Sequence, residues 1–266
     1  KTILKTPSDI RAAFRGEDGR WRFFGVPREI HIAHTLDDVA PLLEKVETAC
    51  DAGLWAGGYL AYEAAPAFDA AMETHPDRDI PLAWFGIFDA PVECETLPDD
   101  AEDAPRASGT PLVERGDYEA AVAAIRDHIA AGDAYQVNYT FPMRAAFAGD
   151  PWAWFTRLSA AQGAGPHAFL DTGRHVFLSV SPELFFALEG ETLTTRPMKG
   201  TRPRGRFEAE DIALEKALVA SAKERAENVM IVDLLRNDLG RVAETGSVGV
   251  PHLFACERYE TVWQMT

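Results

Sequence analysis

Arg196-Pro197-Met198-Lys199-Gly200-Thr201-Arg202-Pro203-Arg204-Gly205 places a lysine between two prolines, which fix the backbone on either side, and beside a glycine that lets another group approach the main chain. This much proline excludes a helix and a central strand. The run is therefore expected to be a stiff loop presenting one amine, one hydroxyl and several guanidinium groups. No phosphate-cradling glycine loop and no regular βαβ spacing accompany it, so the interspersed strands and helices on both sides point to an α+β fold. Such a basic loop is either solvated or a binding site, and its neighbours decide between the two.

Immediately upstream, two strands are expected at His175–Val180 and Leu184–Leu188, separated by Ser181-Pro182-Glu183. A carboxylate at a proline-fixed strand end among apolar residues would favour its protonated form through desolvation, as a general acid requires. A plain turn carboxylate is the alternative. Downstream, Glu208–Leu239 reads as two helical runs. Glu224 and Glu227 are three apart on the second and so lie on one face. They repel each other unless something positive intervenes: a hard, oxygen-preferring cation such as magnesium, or pairing with Lys223 or Arg225.

Further upstream, apolar positions Val122, Ile125 and Ile129 give a helix that Asp117 can cap and Gly132 ends. A strand is expected over Ala134–Thr140, with Gln136, Asn138 and Thr140 on one face, lining a pocket or solvated. In the N-terminal third, a strand at Trp21–Phe24, a helix over Leu36–Ala52 and a strand at Leu82–Phe88 follow from periodicity. Trp55–Glu63 reads as a buried strand whose glycine pair marks a bulge or a close backbone approach. The acidic, proline-bearing Glu93–Pro105 reads as an exposed connector, dividing the chain at about 1–106 and 107–266.

Composition bounds the class. A chain of 266 residues, 47% of them hydrophobic, is long enough to bury a sizeable core. No apolar run is long enough to span a bilayer, and Lys1–Pro7 is too short in its apolar part for a secretory signal. Cys50, Cys94 and Cys256 have neither metal-ligand spacing nor an even count, which suits a reducing cytoplasm. A formal net charge of −16 argues against nucleic acid.

Three stretches, Gly132–Asn138, Pro197–Thr201 with Arg204-Gly205, and Ala226–Leu239, resemble the signatures of the chorismate-utilising enzymes, a family that includes anthranilate, aminodeoxychorismate, isochorismate and salicylate synthases. The resemblance runs from roughly Tyr118 to the last residue, and Trp55–Tyr62 is similar to the N-terminal part of the same enzymes. It implies two large, mostly antiparallel sheets packed together and flanked by helices, with the N- and C-terminal parts interleaved as one unit.

The resemblance also implies roles. Glu227 matches a magnesium ligand, with Glu224 beside it. Gly200 and Thr201 match the loop that meets the substrate carboxylate, and Glu183 matches the acid that helps the chorismate 4-hydroxyl to leave. Gln136 stands where isochorismate and salicylate synthases carry a water-activating lysine, which disfavours hydroxylation at C2. Lys199 stands where anthranilate synthases carry a small residue and aminodeoxychorismate synthases a lysine that attacks C2 before ammonia enters at C4. That lysine must attack as the free base, a form that burial and nearby cations favour. Ammonia comes, in the family, from a glutamine amidotransferase subunit. Gln264 occupies a position that is often histidine. The sequence stops inside that motif, so the resemblance places a glycine-rich substrate loop and a second set of carboxylates beyond Thr266, and a protein ending there is expected to have a half-built metal site and exposed strand edges. The rivals are an anthranilate synthase and, from another class, a non-catalytic module binding chorismate or an aromatic amino acid through Trp55, Tyr59 and Tyr62.

Overall fold

All strand pairs among the described residues are antiparallel. The structure, a computed structural model, describes residues 9–75, 79–98 and 108–266. Two compact units share the chain: Lys1–Asp99 with Phe155–Thr266, and Asp100–Trp154. Residues 99–105 of the expected connector lie outside the described residues.

The larger unit begins with β1 (Ala12–Arg15) and β2 (Trp21–Phe24), followed by β3 (Glu29–Ala33), α1 (Leu36–Asp51), β4 (Trp55–Leu60), β5 (Ala83–Phe88) and β6 (Val92–Cys94). After the smaller unit, β9 (His167–Asp171) and β10 (Val176–Val180) join β1, β2 and β6 in a five-stranded sheet of order β10-β9-β1-β2-β6. Strands from before and after the connector thus lie side by side, Ala12 opposite Leu170 and Ala13 opposite Phe169. Both alanines are fully buried. A second sheet, β3-β5-β4, packs on this one through Ala12, Phe24, Trp84, Phe88 and Leu170. Burying a ring such as Phe88 stabilises the sandwich by about 2–3 kcal/mol. Helix α1 covers the other side of the second sheet, seating Val39 and Leu42 on Ala33, Leu82 and Ala83.

The glycine pair in β4 is a close approach and not a bulge. Its register with β5 is unbroken from Trp55 to Leu60. A side chain at Gly57 would run into the Phe14 ring at 2.7 Å, and one at Gly58 into the Trp84 carbonyl at 2.1 Å. The expected strand nevertheless ends early, since Tyr62–Ala67 turns into a short 3₁₀ helix.

The rest of the larger unit carries the candidate site. Strands β11 (Leu184–Glu189) and β12 (Thr192–Arg196) form a hairpin, and β13 (Thr201–Pro203), β14 (Cys256–Arg258) and β15 (Val262–Met265) form a sheet with β15 in the middle. Helices α4 (Glu208–Ala220) and α5 (Ala222–Leu239) meet at Ser221, whose hydroxyl accepts from the Glu224 N–H and caps α5. Leu218, Trp263 and Met265 make the core between α4 and this sheet.

The smaller unit contains β7 (Thr110–Pro111), α2 (Arg115–Ala131) and β8 (Met143–Arg144). Glu114, not Asp117, occupies the N-cap, and Gly132 ends the helix in the left-handed conformation at φ 86°. The strand expected over Ala134–Thr140 does not form. An alternating pattern becomes a strand only when a neighbour's backbone groups pair with it. In this unit the β7–β8 pairing is all the described residues offer.

Candidate active site

The proline-rich run is less loop than expected. Arg196 ends β12, and Thr201–Pro203 is an edge strand, leaving four residues, Pro197–Gly200, as the connection. Pro203 is tolerated because it closes an edge strand, where a missing N–H costs little.

Those four residues are strapped down from three sides. The Lys199 N–H donates to the Met265 carbonyl, and the Met265 N–H to the Gly200 carbonyl, both at 2.9 Å. The Met198 N–H donates to Oε1 of Glu183 at 3.1 Å. Gly200 adopts φ 91° and lies flat against α4 and α5, where a Cβ would meet Glu224 at 3.1 Å and Leu218 at 3.2 Å. Only glycine combines that backbone with that contact. Lys199 itself is half-buried, and its amine is in no ion pair among the described residues.

The structure therefore brings together Glu183, Lys199, Gly200, Thr201, Gln264 and Glu224. Thr201 faces Gln264 across the β13–β15 pair, its hydroxyl donating to the glutamine oxygen at 2.7 Å. Glu183 is exposed, which corrects the expectation of a desolvated carboxylate. The chain bends at Pro182-Glu183 between β10 and β11, and the exposed side chain accepts the Met198 N–H. Gln136 lies in the smaller unit, half-buried on the irregular segment after α2. Trp55 and Tyr62 are exposed, and neither lines the cavity that Tyr59 lines.

On α5, Glu224 is only 8% exposed, with Nη1 of Arg202 at 3.7 Å, too far for a hydrogen bond. Glu227 is half-buried, 3.5 Å from Nζ of the exposed Lys223. One turn beyond Glu224, Asn228 is fully buried and neither of its amide atoms has a partner. A buried, loosely paired carboxylate beside orphaned polar atoms fits an oxygen-coordinated cation. Among the described residues no group of three or more His, Cys, Asp or Glu forms a closed cage. Magnesium needs none, because it usually takes one or two carboxylates and completes its shell with water and substrate.

Two features lay beyond sequence reasoning. Glu257 on β14 gathers the Tyr259 hydroxyl at 2.9 Å, the Thr266 hydroxyl at 3.3 Å and Nε of Arg196 at 3.5 Å. Burial and that hydrogen bond push the Tyr259 hydroxyl up to about 12, so it is a neutral donor at any physiological pH. Burial, with Glu215 and Glu257 nearby, pushes the Cys256 thiol up to about 11. Iodoacetamide at pH 8 should label exposed Cys50 at least about tenfold faster than Cys256, read by peptide mass spectrometry, since only thiolate reacts.

The second is a clamp on β13. Both carboxylate oxygens of Asp211 accept from Arg204, at 2.8 and 2.5 Å, while Oδ1 also takes the Gly205 N–H and the Trp263 indole N–H. The Arg204 guanidinium stands over the Trp263 ring at 5.1 Å. These donors hold the Asp211 carboxyl far below the usual carboxylate range. A depressed folded pKa stabilises above the unfolded value and loses that contribution as pH falls through the folded one. Asp211→Asn should lower Tm by several degrees at pH 7, and the gap to the parent should narrow between pH 5 and pH 2 in a calorimetric series.

The architecture matches solved chorismate enzymes. Anthranilate synthase component I from Streptococcus pneumoniae superposes with a TM-score of 0.75 at 20% identity, covering 100% of this chain and 70% of that one. A 2,3-dihydroxybenzoate-specific isochorismate synthase from Bacillus anthracis gives 0.70 at 17%, covering 98% and 67%. The fold is thus α+β, mostly antiparallel sheets packed together and flanked by helices. The family model for chorismate binding enzymes matches residues 90–266, and the chain belongs to that family. Its similar relatives include aminodeoxychorismate synthase component 1 of Klebsiella aerogenes, 37% identical over 73% of this chain and 42% of that protein. The same component of Escherichia coli is 45% identical over 52% and 30%, and anthranilate synthase component 1 of Streptomyces coelicolor is 46% identical over 54% and 29%. These matches span less than half the length of each relative.

Proposed function

We propose that the protein aminates chorismate at C4, forming 4-amino-4-deoxychorismate. The observation that supports this reading is an unpaired, half-buried Lys199 on a strapped four-residue connection that Glu183 holds from one side and Glu224 meets at Gly200 from the other. The amine of Lys199 attacks C2, losing a proton, as both ring double bonds shift toward C4 and the C4–oxygen bond breaks. Glu183 delivers the proton with which the 4-hydroxyl departs as water, since bare hydroxide is a poor leaving group. Ammonia then bonds to C4 and the C2–Nζ bond breaks, returning the lysine. Orientation comes from the backbone bonds of Lys199 and Gly200, which fix the base of the side chain.

Gly200, Thr201 and Gln264 meet the substrate carboxylate. Glu227, with Glu224 beside it, would hold a magnesium ion, which supplies a charge anchor for that carboxylate. Ammonia is delivered from glutamine by a second subunit, a reading that rests on the "component 1" in the names of the relatives. No described helix is long and apolar enough to cross a membrane, and three free cysteines support a reducing, cytoplasmic setting.

The test is a mass adduct. The protein incubated with chorismate and magnesium, without ammonia, should carry one chorismate-derived addition on the peptide containing Lys199. Absence of that adduct, together with fluorescent anthranilate as the product, would move the protein to the anthranilate-forming branch.

A further inference from the structure

Far from Lys199, the larger unit has a cavity of about 590 Å³ that the chemistry above does not use. It lies where the β9–β10 turn meets the ends of β3, β4 and β5. Its walls include the Tyr59 and Trp84 rings, and its polar groups come from Arg174, His175, His34 and Asp79. The volume falls within the range of small-molecule sites.

The turn presents Arg174 rigidly. Thr172 closes it twice, its N–H and its hydroxyl both donating to the His175 carbonyl at 2.9 Å, and its oxygen accepts the His175 N–H at 3.1 Å. Asp171, the carboxylate at the start of the turn, is engaged elsewhere: it pairs with Arg11 and accepts the Gly173 N–H, and Asp79, which also lines the cavity, forms no ion pair with Arg174. Arg174 is in no ion pair among the described residues. With the imidazoles neutral, the lining carries one guanidinium and one carboxylate and so no net charge, against −16 for the whole chain. A guanidinium fork matches a carboxylate. The ring of Tyr59 is held by Phe177 at 4.5 Å, and Trp84 is buried, so the apolar wall is preformed. A flat ring can pack against this wall, which a small inorganic anion would leave uncovered.

We propose that this cavity is a second binding site, for a small planar aromatic carboxylate, with Arg174 taking the carboxylate, Tyr59 and Trp84 the ring, and Asp79 an amino or hydroxyl substituent. Strand β10 links the turn to Ser181-Pro182-Glu183. Its five residues span roughly 16 Å, so the site is separate from Lys199 yet joined to the candidate acid by one strand.

Ligand-observed NMR titrations with benzoate, benzamide and acetate test it. Benzoate should bind in the millimolar range or tighter, with benzamide and acetate each at least about tenfold weaker. Arg174→Gln, on an exposed turn, should weaken benzoate by about tenfold or more while circular dichroism stays unchanged. Lys199→Ala should leave benzoate binding intact. The proposal falls if benzoate does not bind at about 10 mM, if Arg174→Gln leaves its affinity unaltered, if benzamide binds as well as benzoate, or if Lys199→Ala abolishes binding, which would assign the ligand to the candidate active site. None of these outcomes depends on whether Lys199 forms an adduct.

Discussion

Lys199→Ala is expected to reduce formation of 4-amino-4-deoxychorismate by roughly 10³-fold or more, because the first bond to the ring then has no nucleophile. The backbone needed to hold the connection is untouched: the N–H of residue 199 still donates to Met265, and Gly200 still lies on Glu224 and Leu218. The loss should therefore fall on kcat with KM for chorismate little changed, and Tm should move by no more than a degree or two. The assay couples the product to a lyase that releases 4-aminobenzoate. Lys199→Arg separates nucleophile from charge, since guanidinium retains the cation but is never a free base, and it should be as inactive as alanine. Turnover by Lys199→Ala within a few fold of the parent would eliminate the covalent route. A KM effect alone would make Lys199 a carboxylate-binding residue.

Gly58→Ala should be severely destabilising, costing about 3 kcal/mol or more. The added carbon would sit 2.1 Å from the Trp84 carbonyl and 2.7 Å from the Phe85 ring. Both obstacles belong to β5, the middle strand of its sheet, so relief requires prising β4 from a partner to which it is paired along all six residues. Trp84 and Phe88 on that strand also form the core shared with the five-stranded sheet, so the shift would spread into the sandwich. Urea denaturation should show a lowered midpoint with the slope unchanged. Gly173→Ala offers the contrast: its φ of 86° brings strain, but nothing lies within 4 Å of the new carbon, so its cost should be a fraction of that at Gly58. Equal midpoints for the two variants would show that close approach is not what requires glycine in β4.

The parts of the fold that were legible in sequence are those with strong local periodicity. Helix α1 was expected over Leu36–Ala52 and runs Leu36–Asp51, because Val39, Leu42, Leu43 and Val46 make one face that α1 alone has to bury. Strand β5 and helices α4 and α5 were also legible. Ala134–Thr140 failed in the opposite way: its alternation was genuine, but a strand needs a partner that no local pattern reveals. For Glu183, the proline-fixed strand end was legible, but which way the carboxylate faces depends on what packs there, and it is exposed.

Sequence alone determined the family: the stretches Gly132–Asn138, Pro197–Thr201 with Arg204-Gly205, and Ala226–Leu239 resemble its signatures, and the family model matches residues 90–266, because a short motif is recorded in the letters themselves. Tertiary structure alone decided how those letters meet: that Gly200 rests on Glu224, that Thr201 holds Gln264, that Asp211 anchors the edge strand and that Arg174 and Tyr59 line one cavity. Each of these contacts joins residues whose proximity is set by sheet register and helix packing, long-range quantities that no stretch of sequence carries by itself.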